Sequence, residues 1–214
     1  MGRVPTPDLC HELMAWCTLY PVPSASAEQN EAARMAEDTF LARFTGRTAL
    51  DREQVAELVG WKFQGMAHRK ALALRGISPE RWEDHDGVPG AATVIRRALT
   101  SSDDYQALAA MASGGGIHHF GPAVSSAILA ACQPSRVTVA DSQALKTLRR
   151  LKLMPPGPAG FRLDDWLPYL TVCRTLAQTC RLSLRQVDRA LWVGASSPPP
   201  SEAADRQNSD SCRP

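Results

Sequence analysis

Three sets of residues in this chain have types and spacings that suit chemistry. The first is a hairpin. Leu108, Met111 and Ala112 end one helical pattern, and Gly114-Gly115-Gly116 cannot continue it. Ile117-His118-His119-Phe120-Gly121-Pro122 follows, then an uninterrupted run of helix formers from Ala123 to Cys132. A helix that opens after a tight Gly-containing turn leaves backbone N–H groups free at its N-terminus, and such an end attracts phosphate. Pro122 suits the first helical position, where its missing N–H is surplus. The same pattern also describes an ordinary helical hairpin with no ligand. The second is Asp141, which follows Arg136-Val137-Thr138-Val139-Ala140 and precedes a helix carrying Lys146, Arg149, Arg150 and Lys152. Free N–H groups at that helix start favour its ionised form, whether it is a reactive carboxylate or an N-cap. The third is the cluster Trp61, Lys62, Phe63, Gln64 and His68, which offers aromatic faces and hydrogen-bonding groups on one short segment. Core packing is the commoner fate of such aromatics.

The cysteines give a weaker signal. Cys10 and Cys17 are seven residues apart, as are Cys173 and Cys180, so each pair shares one face of a helix. Four such thiols are enough for a metal or an iron–sulfur cluster. None has the short two-residue spacing of common sites, and all sit among apolar residues. The expectation is reduced, buried core thiols. The N-terminus also lacks the basic-then-apolar order of a secretory signal.

The elements that position these residues read as helical almost throughout. Leu9, Leu13, Trp16, Cys17 and Tyr20 make one apolar stripe, and a second helix spans Ala27 to about Phe44. Asp51 with Gln54 is a capping-box pair opening a helix through Lys62, and Ser183 with Gln186 opens the last one. Further helices are predicted at about 67–75, 88–100, 102–112, 122–132, 142–153, 164–181 and 184–193. Arg136 to Ala140 is the one extended candidate. Met154-Pro155-Pro156-Gly157-Pro158-Ala159-Gly160 must be a loop. The fold class is therefore all-α. Residues 1–50 are expected to supply helices that complete the fold, 51–194 the main region, and 195–214 a disordered polar tail.

The chain has 214 residues, 44% apolar, with a formal net charge of +2. That supports one core, as a single globule or two closely packed subdomains, and excludes a fully disordered or histone-like chain. No stretch is long and apolar enough for a membrane span. Charge is uneven along the chain, at −2 over 1–50, −2 over 101–135 and +6 over 136–189. The basic segment suggests a surface that grips nucleic-acid backbone.

Gly114 to Leu151 resembles the HhH-GPD superfamily of DNA glycosylases, which join a helix-hairpin-helix and a Gly/Pro-containing loop to a catalytic aspartate. The family's hairpin reads apolar-x-Gly-apolar-Gly, and here it is Ile117-His118-His119-Phe120-Gly121. Asp141 lies twenty residues after Gly121, as the family's aspartate does. The likeness extends more loosely to Glu57–Lys62 and Leu184–Trp192. It implies a hairpin over about 104–132, a catalytic helix over about 141–152 and Asp141 as the catalytic carboxylate. It further implies DNA contacts from His118, His119, Phe120, Gly121, Ala123 and Lys146, with a flipped base held near Trp61, Lys62, Gln64 and His68. The first hairpin glycine is replaced by His119. The lysine of bifunctional members is replaced by Ala123, which implies a monofunctional enzyme unless Lys62 or another lysine substitutes. The family's four-cysteine cluster loop is absent, so no cofactor is expected. The implied partners are duplex DNA containing a modified base, and an abasic-site nuclease acting after a monomeric, cytoplasmic, nucleoid-associated enzyme. A non-catalytic helix-hairpin-helix binding module is the alternative.

Overall fold

The computed structural model describes residues 6–112 and 116–196. The expected tail beyond 196, with Cys212, and the glycines Gly114 and Gly115 lie outside the described residues. The fold is all-α. The helices are α1 (Pro7–Thr18), α2 (Ala27–Ala42), α3 (Arg52–Lys62), α4 (Ala67–Gly76) and the one-turn α5 (Pro79–Trp82). Then follow α6 (Ala91–Thr100), α7 (Asp104–Ala112), α8 (Pro122–Cys132), α9 (Ser142–Arg150), α10 (Trp166–Cys180) and α11 (Leu184–Gly194). The extended candidate, residues 136–140, finds no strand partner among the described residues. No described helix is long and apolar enough to cross a membrane.

The sequence signals act as anticipated at the helix starts. Asp51 accepts from the Gln54 amide and the Gln54 side chain returns to the Asp51 N–H. Ser183 and Gln186 do the same. Each box satisfies two donors that a helix start would otherwise leave open. At the other end, α9 stops at Arg150, three residues before its predicted limit. Lys152 adopts a left-handed backbone (φ 57°) and the Leu153 amide bonds back to Leu148 O. That closure satisfies a terminal carbonyl and turns the chain into the Pro-rich loop.

One apolar core runs from Leu13 on α1 to Val193 on α11. Fully buried side chains such as Leu13, Ile95, Ile128, Leu145, Trp166 and Tyr169 build it; burying an aliphatic chain of this size is worth about 1.5–3 kcal/mol. The N-terminal helices therefore belong to the same core as the remainder of the chain. The closeness of α1 and α11 depends on Gly194, where a Cβ would lie 2.5 Å from the Trp16 ring.

The cysteine expectation is corrected in part. Cys17 and Cys173 are buried free thiols, as is Cys132. Cys10 and Cys180, however, form a disulfide that ties α1 to the end of α10 across 170 residues. The helical spacing of seven hid this because the partners come from different helices. Among the described residues no group of three His, Cys, Asp or Glu side chains is arranged to hold a metal. A cross-link closing so long a loop restricts the unfolded chain strongly. Replacing Cys10 with Ser is expected to cost about 2–4 kcal/mol, read as a lowered urea midpoint that added reductant does not lower further.

Candidate active site

The approach to Asp141 is pinned from three sides. Val137, Thr138, Val139 and Ala140 are all buried. The Thr138 hydroxyl donates to Leu184 O at 3.4 Å, and Val139 O accepts from the Tyr169 hydroxyl at 3.0 Å. The Ala140 N–H donates to Ser126 Oγ at 2.7 Å. Ser126 sits on α8, Tyr169 on α10 and Leu184 on α11. These side chains replace the strand partners that segment lacks, and they tie the helix after the hairpin to the residue before Asp141. Buried amides need such partners.

Asp141 is the N-cap of α9. Its Oδ1 accepts from the Gln143 amide at 2.8 Å, and its Oδ2 meets Lys62 Nζ at 2.7 Å. The two side chains are only 19% and 13% exposed, so water screens the pair weakly. Burial on its own pushes the Asp141 carboxyl upward. The Lys62 charge and hydrogen bond, with the Gln143 and Ala144 amides, outweigh it and hold the group below the usual carboxylate range. The result is an ionised carboxylate at the edge of a pocket.

That pocket measures about 260 Å³ and is lined by Tyr20, Trp61, Lys62, Gln64, Asp141 and Trp192, among others. Tyr20 and Trp192 meet edge to face with centroids 5.6 Å apart. Behind them lies a buried charge network. Glu37 on α2 accepts from Trp61 Nε1 at 2.9 Å, from the Tyr20 hydroxyl at 3.1 Å, and from the Arg185 and Arg189 guanidiniums. Burial opposes ionisation of Glu37, and those arginines reverse the effect, leaving its pKa lowered. Asp188, paired with Arg185, is different: burial dominates and pushes it up to about 6. A second cavity of about 640 Å³ adjoins the first across Tyr20, Trp61 and Gln64, and continues along Ala33, Phe40 and Gly60.

Of the residues anticipated around a base, Trp61, Lys62 and Gln64 share this pocket with Asp141. His68 does not; it is exposed on the first turn of α4 and lines neither cavity. Tyr20 and Trp192 were not anticipated in the site. Both fall on helical stripes that read as core, and only packing of α1 against α11 brings their rings together. Phe63 packs against the core.

The hairpin residues divide by exposure. His118 and His119 are exposed with ring centroids 3.9 Å apart. His119 takes the left-handed conformation (φ 64°) that a glycine would adopt at the same point. Partial desolvation, with the positive charges of His118, Arg75 and Arg81, lowers its pKa. Phe120 is corrected: its ring is only 5% exposed and belongs to the core, out of reach of a ligand. Gly121 is the N-cap of α8 with no side-chain cap, and Ala123 is half-buried in the first turn. Lys146 is exposed on α9.

The basic segment is also corrected. Arg136 and Arg174 both pair with Asp104, and Arg149 pairs with Asp165. Arg185 pairs with Glu37 and Asp188, and Arg189 with Glu37 and Asp38. Arg150 donates to Gly194 O. Five of the ten bases of the segment are thereby held inside the fold, by Glu37, Asp38 and Asp104 from the −2 segments and by Asp165 and Asp188 of the segment itself. Lys146, Lys152, Arg162 and Arg181 stay exposed.

Compared with known protein families, curated proteins and solved structures, the chain has no match. Replacing Lys62 with Met removes the charge that opposes burial of Asp141. The Asp141 carboxyl pKa, followed by carbon NMR titration, is expected to rise above the usual carboxylate range; an unchanged value would show that the α9 amides alone hold it ionised.

Proposed function

We propose that this chain is a monofunctional DNA glycosylase, which takes a modified base out of the duplex and hydrolyses its N-glycosidic bond. The observation that carries the reading is the Asp141–Lys62 pair at an aromatic-lined pocket, joined through Ser126 to the helix of a hairpin with an uncapped N-terminus. The pocket's Tyr20, Trp61 and Trp192 offer surfaces for a flipped base. As the bond to the base breaks, positive charge builds on the deoxyribose. The ionised Asp141 stabilises that charge and takes a proton from the attacking water. Electrons of the C1′–N bond leave with the base, and the Lys62 ammonium supplies the proton that neutralises it. Proton return from Asp141 to Lys62 restores both groups. Duplex DNA is the partner, and a separate abasic-site nuclease acts on the product.

The substrate is either a damaged base or a hypermodified one, such as the glucosylated hydroxymethylcytosine of phage DNA. The second cavity beyond Trp61 leaves room for an appended group and favours the hypermodified class.

The place of Lys62 in the Asp141 pocket supports a second reading, in which Lys62 is the amine nucleophile missing at Ala123. An attacking amine needs a free lone pair. Lys62 Nζ is instead engaged by the ionised Asp141 carboxylate at 2.7 Å, and this favours hydrolysis. Borohydride during turnover is therefore expected to trap no enzyme–DNA adduct; an adduct lost in Lys62→Gln would establish lyase chemistry instead. The principal test is Asp141→Asn. Release of free base from a panel of damaged, mismatched and phage-modified duplexes is expected to fall by about 10²-fold or more, with affinity for undamaged duplex unchanged. Full activity in this variant would overturn the assignment, and absence of release from every substrate by the unaltered protein would favour the non-catalytic binding module.

A further inference from the structure

With five arginines of 136–189 drawn into ion pairs, a second set of exposed bases stands on a different element. Helix α4 carries His68, Arg69, Lys70 and Arg75 and contains no Asp or Glu. All four side chains are exposed, and none forms an ion pair with a described residue. Their placement is costly for the fold itself. The start of α4 has Met66 as N-cap and no side-chain cap, so its first amides and the positive end of its dipole face outward beside three basic groups. Cations belong at the opposite end of a helix. Nothing in the packing requires this arrangement, because only the second half of α4 enters the core, through Ala73 and Gly76.

The position of α4 gives those charges a context. Met66, at its start, lines the pocket that holds Asp141 and Lys62. Gly76, at its end, is pressed against the hairpin: a Cβ there would lie 2.0 Å from His118 O. The helix therefore spans the distance between the pocket and the hairpin. Ten residues at 1.5 Å per residue make about 15 Å, enough to run beside a short length of one strand. His119 stands beside Arg75 as a further exposed hydrogen-bonding group, and the uncapped start of α8 lies just beyond it.

We propose that the exposed surface of α4, formed by His68, Arg69 and Arg75 and continued by His119, is the track on which the sugar-phosphate backbone of duplex DNA lies. It leads one strand from the hairpin to the mouth of the Asp141 pocket. The proposal rests on the glycosylase reading for its ligand, but it assigns the grip to α4, where the charge of the sequence does not direct attention.

The test compares the salt dependence of binding to an undamaged duplex and to the same duplex carrying a tetrahydrofuran abasic site. In Arg69→Glu/Arg75→Glu, affinity is expected to fall about tenfold or more at moderate salt. The slope of log K against log salt should flatten by about 0.9 for each phosphate that is no longer neutralised. Arg69→Gln/Arg75→Gln should show a smaller loss, with an unchanged thermal melt establishing that the fold is intact. Lys152→Glu/Arg181→Glu, at two exposed sites of the basic 136–189 segment, should leave the slope unaltered. If the α4 variants keep the full slope, or the Lys152/Arg181 variant loses it, the track is wrong, while base release dependent on Asp141 would still uphold the glycosylase reading. If the unaltered protein shows no salt-dependent binding to either duplex, both fail together.

Discussion

Arg189 is the residue on which the rest of the structure depends. Its guanidinium is 3% exposed and is clasped by Glu37 and Asp38 of α2. Through Glu37 the same clasp reaches Arg185, Tyr20 and Trp61. Four parts of the chain that are remote in sequence are thereby held at fixed separations: the turn after α1, α2, α3 and α11. They are also the walls of the pocket. A buried charge network of this kind is weak evidence for net stability, because desolvation of the ions offsets their attraction. Removing one member is another matter, since it strands an uncompensated charge at a cost of about 3–5 kcal/mol. The network therefore acts chiefly as a constraint on geometry.

A second constraint works on Asp141. Residues 137–140 are extended and buried but belong to no sheet, so their backbone groups need partners from side chains. Ser126 and Tyr169 make two of those bonds, and the Thr138 side chain anchors the segment to Leu184 O. An N-cap on a surface helix would normally reorient freely. Here the preceding backbone is fixed by α8, α10 and α11, the Gln143 amide fixes one carboxylate oxygen, and Lys62 fixes the other. Capping and siting a carboxylate beside a pocket are compatible tasks for one side chain, because its two oxygens serve different partners.

Much of the architecture is legible in residue order. Helix existence follows from apolar spacing, and starts follow from Asp51/Gln54 and Ser183/Gln186, because caps are made by neighbours three residues apart. Trp61, Lys62 and Gln64 could be named as a group since they are adjacent in the chain. Legibility fails where a partner is remote. Tyr20 and Trp192 read as core stripes, the Cys10–Cys180 bond joins helices 170 residues apart, and Phe120 reads as part of the hairpin tip although its ring turns inward. His119 is a middle case: a non-glycine residue at a glycine position is visible in the sequence, but its left-handed backbone is visible only in the fold.

The near-neutral total charge and its uneven distribution are properties of the sequence alone, as are the all-α class, the hairpin and the spacing from Gly121 to Asp141. Those depend on composition and on neighbours within a few turns. Which charges remain for a ligand was decided only by tertiary structure. Asp104, Glu37 and Asp38 lie far along the chain from the arginines they neutralise, and for the Arg189–Glu37 pair burial makes the pairing obligatory, since an unpaired guanidinium in the core is prohibitively costly. Half of the bases in the basic segment accordingly became internal bracing. The modest charge of α4, which carries no acid of its own, was left facing solvent between the pocket and the hairpin.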